Sequence, residues 1–309
     1  MDGILNIDKP PGKTSFSIVA MVKRLSGERR VGHAGTLDPA ATGVLPICLG
    51  QGTRVTEFLV DATKTYRAEI ELGMATDTYD SSGKVTQKGD ASSINLEQLE
   101  SALASFRGSI QQIPPMYSAI KQHGQPLYKL ARAGLTVERK SRPVQIYHLK
   151  LIAWQAPVAT VEVECGKGTY IRTLAHDLGQ LLGCGANLKS LIRLKCGPFY
   201  VNDAVSVPKL EDAFRYGYWQ HFLYSIDSVL SHWRAMIVND AAEEVIRKGG
   251  YLVLENGNSS GETTCPEQNY PTGSFFENHR RAYTLDGRFL GILRFNPERG
   301  HWQPDKVFL

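Results

Sequence analysis

The sequence predicts an α+β protein that ends in a small, mainly β module. From the N-terminus to about residue 232, helix-type and strand-type hydrophobic patterns are mixed without the regular strand–helix–strand rhythm of a doubly wound fold. Beyond that point the pattern changes to short strands separated by glycine turns. Because 309 residues with 42% hydrophobic residues can bury two cores, we predict two domains, residues 1–232 and 233–309.

The chain opens with a predicted strand over residues 4–7, a Pro10-Pro11 turn and a helix over residues 14–25. Thr14 or Ser15 is the expected N-cap of this helix. Its apolar face is expected to comprise Phe16, Ile18, Val19, Val22 and Leu25. The residues before the helix, 11–14, resemble the end of a phosphate-binding loop, but Ile7 stands where that motif needs glycine, which argues against a nucleoside triphosphatase.

Four further elements are predicted in this domain. Residues 66–72 alternate as a strand, and a helix starts at the Asn95/Gln98 capping box and ends at Gly108. Residues 161–165 form a strand, residues 166–170 a glycine turn, and residues 174–181 a helix. In the C-terminal module we predict a helix over 241–247, a strand over 251–254, a loop over 255–278 and two or three strands over 280–309.

Residues 113–143 are rich in proline and glycine and form a long excursion of the kind that usually carries a function. They lie in a basic stretch, residues 107–150, which holds eight basic residues and a single acid, Glu138, a net charge of +7. Such a local field, interleaved with Tyr117 and Tyr128, suits a phosphate backbone. A solvated surface or a site for a small anion fits the charge equally well.

The composition excludes several classes of protein. No apolar run reaches the length of a membrane span, and the N-terminus lacks the basic start and apolar stretch of a signal peptide, so we expect a cytoplasmic protein. The five cysteines include no Cys-x-x-Cys pair and are expected to be free thiols, with no metal site. No oligomerisation pattern is visible, so a monomer is the default.

The strongest local signal is the segment from His33 to Pro46, in which Asp38 stands between Gly35 and the Pro39 to Gly43 run. Glycines permit close backbone approach and proline stiffens the turn, so this loop can present a carboxylate in a fixed pose. As an isolated residue, Asp38 would be interpreted as an ordinary turn residue that caps its own backbone.

Three weaker signals accompany the loop. Arg172 follows the glycine turn at a helix start, where it suits an anion or a carboxylate. Tyr66 begins a strand and is either a core residue or a platform on which a base can stack. The segment 188–198 is expected to be core, with its basic residues Arg193 and Lys195 exposed.

These segments together resemble the TruB-type tRNA pseudouridine synthases, which modify uridine 55 in the T-loop of tRNA. The resemblance starts in the His33 to Pro46 loop and covers roughly residues 1–232. It continues, in the family's order, through Tyr66, Asp77-Thr78 with Asp80, Pro114-Pro115 with Tyr117-Ser118-Ala119, Gly168 to Arg172, and Leu191. It implies a catalytic domain with a mixed, mostly antiparallel sheet flanked by helices. The module at 233–309 is similar to the RNA-binding PUA domain, notably from Tyr283 to Lys306.

The resemblance also implies roles. Asp38 is the catalytic carboxylate that attacks the target uridine, Arg172 holds it by a salt bridge, and Tyr66 stacks on the flipped base and is a candidate for removing the proton from carbon 5. Leu191 walls the base pocket, His33 helps the base out of the T-loop, and Asp80 is a second partner of Arg172. Further substrate contacts are expected from Tyr170, Lys9, Arg54, Arg193 and the basic segment 113–143, which acts as a thumb on the RNA. No cofactor is implied. Relatives often have two arginines after the pocket leucine, where this chain has Ile192-Arg193.

The chemistry of the residues agrees with those roles. A nucleophilic carboxylate must stay ionised although an apolar wall desolvates it, and a neighbouring guanidinium opposes the resulting rise in its pKa. Two alternatives remain. A non-catalytic tRNA-binding or tRNA-folding protein could use the same surface, and a glycoside hydrolase could use Asp38 and Asp80 as its two carboxylates.

Overall fold

The structure, a computed structural model, describes residues 1–122, 124–253 and 278–308. It confirms the predicted fold class: a large mixed sheet with helices, followed by a mainly β domain. The predicted loop at 255–278 lies outside the described residues except for Asn278, as do His123 and Cys265. The other four cysteines are free thiols, as predicted, and all are buried. No helix of the described part of the chain is long and apolar enough to cross a membrane.

The strands are numbered in chain order. They are β1 (Gly3–Lys9), β2 (Val31–His33), β3 (Thr42–Leu49), β4 (Lys64–Leu72), β5 (Met74–Thr76), β6 (Val85–Lys88), β7 (Gly108–Gln112), β8 (Lys121–Gln122), β9 (Gln125–Pro126), β10 (Arg142–Gln155), β11 (Val158–Cys165), β12 (Ala186–Cys196), β13 (Phe199–Tyr200), β14 (Val205–Ser206), β15 (Leu223–Tyr224), β16 (Ala235–Val238), β17 (His279–Thr284), β18 (Phe289–Asn296) and β19 (His301–Val307).

The α-helices are α1 (Ser15–Ser26), α2 (Thr56–Asp61), α3 (Leu96–Ala104), α4 (Leu127–Arg132), α5 (Ile171–Leu181), α6 (Val207–Tyr216) and α7 (Asp240–Arg247). Short 3-10 helices cover Gly50–Val55, Val201–Asp203, Trp219–Phe222 and Ile226–Leu230. The caps follow from the sequence: the Thr14 hydroxyl accepts the Ser17 N–H at the start of α1, and Asn95 and Gln98 form the capping box of α3.

The large sheet has the strand order β14-β1-β3-β12-β4-β11-β10-β7, with β2, β13 and β15 attached at its side. Most of its pairs are antiparallel, and β1 with β14 and β3 with β12 are parallel. The central strand β12 is bulged on both sides of residues 190–193 where it pairs with β4. Bulges change the direction in which side chains point, so this stretch of β12 can direct its side chains toward a binding site.

Both faces of the strands β1 and β3 are buried. Leu5 and Leu45 point into a core that α1 and α6 cover, whereas Ile4 and Val44 point into a core on the opposite face, beneath α2. A third core lies between β4, β10, β11 and β12 and the helices α3 and α5. Tyr66 and Leu191 pack against both the α1 core and the α5 core, so they lie where the two cores meet.

The C-terminal domain is a second sheet, ordered β16-β17-β18-β19, with α7 beside it. It is joined to the first domain by apolar packing, because Ile292 of β18 belongs to the same buried cluster as Ile4 and Leu59. Polar contacts reinforce this interface: the Tyr283 hydroxyl donates to the Asp227 carboxylate at 2.6 Å. Three strands occupy residues 279–307, within the predicted range of two or three.

Several predictions about the elements were wrong in detail. Phe16 does not belong to the buried face of α1, since its side chain is 74% exposed. The helix predicted to end at Gly108 ends at Ala104, because Gly108 starts the edge strand β7. Of the predicted strand over 251–254 the structure describes residues 251–253, where Leu252 forms an isolated bridge with Trp302. The excursion at 113–143 contains a short hairpin, the helix α4 and the start of β10.

Candidate active site

The loop that presents Asp38 runs from the end of β2 to the start of β3, and it is tied down on both sides of the aspartate. The Ser15 hydroxyl accepts the Leu37 N–H at 2.9 Å and lies 3.1 Å from the Leu37 carbonyl. The Gly12 N–H donates to the Pro39 carbonyl at 2.8 Å. The N-terminus of α1 therefore fixes the backbone immediately before and after Asp38.

Arg172 binds the Asp38 carboxylate through two of its nitrogen atoms. It is the second residue of α5, and its Nε lies 2.9 Å from Oδ2 while its Nη2 lies 3.2 Å from Oδ1 of Asp38. This is the two-point geometry in which a guanidinium binds a carboxylate most strongly. The Arg172 side chain is 7% exposed and that of Asp38 is 39% exposed, so the arginine is buried whereas the aspartate remains accessible from outside the protein.

Arg172 also gathers two further segments around the site. Its Nη2 donates to the Tyr117 carbonyl at 2.8 Å, and its Nη1 donates to the Thr78 carbonyl at 3.4 Å. The Asp80 carboxylate lies 3.7 Å from Nη1 and accepts from Thr78 and Ser82. The structure thus brings together the segments around residues 38, 78–80, 117 and 172 that were singled out separately in the sequence.

The balance of charges determines the protonation of Asp38. Burial raises the pKa of its carboxyl above the ordinary value, and the negative charge of Asp80 adds to that rise. The Arg172 guanidinium and the Lys9 ammonium oppose it. The effect of desolvation on the pKa of Asp38 is larger than that of the two cations, so the net shift is upward. The sequence alone indicated both effects but not which of them is larger.

Tyr66 and Leu191 stand side by side on the neighbouring strands β4 and β12, where Leu191 pairs with Ala68 and Arg193 with Tyr66. Both are half-buried and form an apolar wall where two cores meet. Burial raises the pKa of the Tyr66 hydroxyl to about 12, against the opposing charge of Arg193. Tyr66 is therefore a neutral phenol at neutral pH.

Arg193 was expected to be exposed and to contact substrate, and the structure corrects the first point. Its side chain is 1% exposed, whereas the neighbouring Ile192 is exposed, because the strand alternation places the arginine on the inner face. Its Nε donates to the Val44 carbonyl at 2.7 Å and its Nη2 to the Gly35 carbonyl at 3.1 Å. No RNA phosphate can reach it in this conformation.

Lys9 and Arg54 were also expected to grip RNA, and both are occupied inside the protein. Lys9 is fully buried, and its ammonium donates to the carbonyls of Pro10, Lys13 and Pro39, so it fastens the Asp38 loop to the end of β1. Arg54 donates to the Val307 carbonyl at 2.5 Å and lies over the Phe308 ring, which fastens the C-terminal domain. In the sequence a structural cation and a phosphate-binding cation look alike.

His33 and Tyr170 border the same site. His33 ends β2, its Nδ1 is buried without a hydrogen-bond partner among the described residues, and burial lowers the pKa of its imidazole. Tyr170 is the residue that precedes α5, and its side chain is half-buried. Burial raises the pKa of the Tyr170 hydroxyl.

Sequence reasoning missed Gln112, Tyr79 and His176. The buried Gln112 side chain accepts the Tyr170 N–H at 3.0 Å and donates to the Tyr170 carbonyl at 3.2 Å. Tyr79, which has a positive φ of 64°, stacks on His176 with ring centroids 3.9 Å apart and so anchors the Thr78–Asp80 turn to α5. A buried glutamine beside two prolines was the one available sequence signal.

The basic segment 113–143, called the thumb segment here, adjoins the site at its base. A cavity of about 260 Å³ opens between this base and the glycine turn, and it is lined by Pro114, Ile120, Arg142, Lys167 and Tyr170 among others. Lys129 and Arg132 on α4 and Lys140 are exposed. The site is thus flanked by cations on the side of the thumb segment.

Comparison with known families identifies the class of the protein. Residues 23–171 match the TruB family pseudouridylate synthase N-terminal domain, and residues 172–231 match the tRNA pseudouridylate synthase B C-terminal domain. The class of the molecule is therefore that of the pseudouridylate synthases, which are isomerases.

Relatives extend the match to the whole chain. The tRNA pseudouridine synthase B of Dehalococcoides mccartyi is 42% identical over 310 aligned positions, which cover 100% of this chain and 97% of the relative. That of Clostridium acetobutylicum is 40% identical and covers 96% of this chain and 97% of the relative. The chain belongs to the TruB family of pseudouridine synthases.

A solved structure, that of a Cbf5-Nop10-Gar1 complex, has the same fold. It superposes with a TM-score of 0.73 at 24% identity and covers 99% of this chain and 85% of the matched chain. Because it covers the C-terminal sheet as well, the PUA-like interpretation of that domain is consistent with it.

Proposed function

We propose that this protein converts uridine 55 in the T-loop of tRNA to pseudouridine, by flipping the base out of the loop and attacking it with the Asp38 carboxylate, without a cofactor. The full-length relatives named tRNA pseudouridine synthase B support tRNA as the substrate. The observation that carries the mechanism is the Asp38–Arg172 pair, in which a buried guanidinium presents a carboxylate to an open apolar wall.

The carboxylate is suited to act as a nucleophile. Its two oxygens are fixed by Arg172, which limits the motion that would otherwise have to be restricted during reaction. Desolvation raises both its pKa and its nucleophilicity, while Arg172 keeps the ionised form populated. A non-catalytic RNA-binding protein has no use for a partly desolvated anion that faces a polyanionic partner.

We place the flipped uracil against Tyr66 and Leu191. Flipping a base costs a few kcal/mol of lost stacking and pairing. An aromatic ring that stacks on the base and an apolar side chain on its edge recover part of this cost, and stacking of this kind contributes about 1–3 kcal/mol. In this proposal His33, whose buried Nδ1 has no hydrogen-bond partner among the described residues, occupies the space that the base leaves.

The thumb segment supplies the remaining binding free energy in this proposal. Its exposed cations can contact several phosphates, and each contact releases counterions. Arg142 and Lys167 line the cavity beside Tyr170, where a nucleotide next to the target can be held. This surface offsets the cost of flipping without touching the reacting atoms.

The proposed chemistry balances within the substrate, because uridine and pseudouridine are isomers. An Asp38 oxygen forms a bond to ribose C1′ while the C1′–N1 bond breaks. The electron pair of the broken bond leaves with N1 of the uracil. The uracil rotates, its carbon 5 bonds to C1′, and the carboxylate departs. Carbon 5 then loses its proton, N1 gains a proton, and the ring regains its conjugation, so the product has the same composition as the substrate.

Tritium release from tRNA transcript labelled at carbon 5 of uridine tests this function. We expect release by the wild-type protein with no cofactor added, none by Asp38→Asn, and wild-type rates for Asp212→Asn, which removes an exposed carboxylate on α6. Filter binding of the same tRNA reports whether each variant still binds. Equal release by the wild type and Asp38→Asn would remove Asp38 from the chemistry. Binding without release by any protein would favour a tRNA-folding role.

A further inference from the structure

Arg193 is a buried cation without an anionic partner. Its side chain is 1% exposed, and no carboxylate of the described residues lies within salt-bridge distance of it. Burying an unpaired charge is costly, so such a residue is tolerated only where its hydrogen bonds are well satisfied and its charge is used.

Its guanidinium lies between three parts of the proposed site. The Nε donates to Val44 at the start of β3 at 2.7 Å, and the Nη2 donates to Gly35 in the Asp38 loop at 3.1 Å. Tyr66 is the cross-strand partner of Arg193 in the β12–β4 pair, so both side chains lie on the same face of the sheet, and the guanidinium charge acts on the Tyr66 hydroxyl. The two carbonyls and the phenol are neutral groups.

The backbone of Arg193 is positioned just as closely. It pairs with Gly43 of β3, and a side chain at Gly43 would lie 2.3 Å from the Arg193 carbonyl oxygen. A bulge between Arg193 and Lys195 shifts the register of β12 against β4, and the pairing then continues at Lys195 and Cys196. The strand is thus shaped so that this one arginine lies between the Asp38 loop and Tyr66.

We infer that Arg193 is a positioning residue of the isomerase, which fixes the Tyr66 hydroxyl relative to the Asp38 loop and places an uncompensated positive charge behind that hydroxyl. The inference rests on the proposed function, since it concerns the same site. It differs from the expected role in gripping RNA, because Arg193 acts through Tyr66 and has no contact with the phosphate backbone. A lysine is expected to replace it only in part, because an ammonium is a compact point charge whereas the planar fork reaches acceptors on separate strands.

A double-mutant cycle under single-turnover conditions tests this inference. Arg193→Gln is expected to slow carbon-5 tritium release by about 10- to 100-fold, while the Kd for tRNA changes less than about threefold. In a Tyr66→Phe background, which lacks the hydroxyl, the same substitution is expected to slow release by less than about threefold. Arg193→Lys keeps the charge but not the fork, and we expect it to restore only part of the rate.

Lys195→Gln is the matched control. It removes a positive charge from the same strand, two residues away, where the ammonium lies over the Tyr200 ring, and we expect wild-type rates from it. Thermal unfolding of each variant reports whether it folds, and Arg193→Lys serves where Arg193→Gln does not fold.

Equal losses in the wild-type and Tyr66→Phe backgrounds would overturn the inference, since Arg193 would then act independently of Tyr66. A loss of tRNA affinity at unchanged turnover would overturn it in favour of an RNA contact. Absence of release by the wild-type protein would instead refute the proposed function itself.

Discussion

At the scale of single residues, Arg172 is the side chain on which the site converges. It binds Asp38 through two atoms and also reaches the carbonyls of Tyr117 and Thr78 and the Asp80 carboxylate. These partners come from three different loops, so one guanidinium fixes the relative positions of the loops. Removing it affects the carboxylate and its surroundings together.

We expect Arg172→Ala to lower the single-turnover rate by roughly 100-fold or more, because it removes the cation that orients and ionises Asp38. The affinity for tRNA is expected to change little, since the side chain is buried beneath Asp38. Rapid-quench measurement of pseudouridine formation and filter binding separate the two effects. A wild-type single-turnover rate in this variant would show that the assigned role is wrong.

The pH dependence of the rate follows from the pKa of Asp38. Only the ionised carboxylate is a nucleophile, so activity is lost as the pH falls through this pKa. Because burial raises the pKa above the ordinary value of 3.8, the acid limb of the pH–rate profile is expected at a higher pH than for an exposed aspartate. The profile of single-turnover rate against pH measures its position.

Asp80→Asn is expected to shift that acid limb to lower pH. The substitution removes a negative charge that raises the pKa of Asp38, and it leaves Arg172 with fewer anionic partners. Asp61→Asn, which removes an exposed carboxylate paired with Lys167, is the control and is expected to leave the limb in place. A shift to higher pH in Asp80→Asn would contradict this charge balance.

At the scale of elements, the parallel contact between β3 and β12 places the Asp38 loop over Arg193. This contact requires glycine at residue 43, which has a φ of +96° and no room for a Cβ beside the Arg193 backbone. Gly12, at the turn before α1, has a φ of +78° and open space around it. Comparing substitutions at Gly12 and Gly43 therefore separates the cost of a left-handed backbone conformation from the cost of a steric collision.

Gly43→Ala is expected to destabilise the protein by about 3 kcal/mol or more, because strain and collision act together. Gly12→Ala is expected to cost about 1–2 kcal/mol, the ordinary penalty of a left-handed conformation. Chemical denaturation of both variants gives the two values. Equal values would mean that β3 and β12 can separate without cost.

The thumb segment predicts a steep salt dependence of tRNA binding. The logarithm of affinity is expected to fall linearly with the logarithm of salt concentration, and Lys129→Gln and Lys140→Gln are each expected to reduce the slope by about 1 where the lysine contacts a phosphate. Lys209→Gln, on α6, serves as a control and is expected to leave the slope unchanged. A flat response in the wild type would contradict the role of the thumb segment.

At the scale of the whole molecule, the two sheets are joined by a common core. Ile292 of the C-terminal domain is fully buried with Ile4 and Leu59 of the first domain, and Trp233 between them packs edge-on against Phe58. Arg54 and Lys306 add a hydrogen bond and an ion pair across the same interface. The two domains are therefore expected to unfold together.

Ile292→Ala is expected to lower the free energy of unfolding by about 2–5 kcal/mol in a single transition. Leu285→Ala, on an exposed side chain of the same domain, is expected to change it by less than about 0.5 kcal/mol. Calorimetry measures the stability of each variant and shows whether it unfolds in one transition or in two. Two separate transitions in Ile292→Ala, with the first-domain transition unchanged, would contradict a shared core.

Periodicity and caps were sufficient to predict most elements of the first domain. The Thr14 cap, the Asn95 capping box and the strands around residues 4, 66 and 161 follow from local chemistry alone. The end of α3 was missed because Gly108 marks a strand start as readily as a helix end. Phe16 was assigned to the wrong environment because helical spacing indicates a face and does not show what covers it.

The sequence by itself determined the α+β class and the basic composition of the thumb segment, and it singled out Asp38 and Arg172 as candidates, since these depend on local patterns and on residue chemistry. Only the tertiary structure decided which cations are free. Lys9, Arg54 and Arg193 look like phosphate ligands in the sequence, and the fold buries or occupies each of them. The reason is physical: a cation's role depends on the acceptors that distant strands bring to it, and burial decides whether those acceptors belong to the protein or to its substrate.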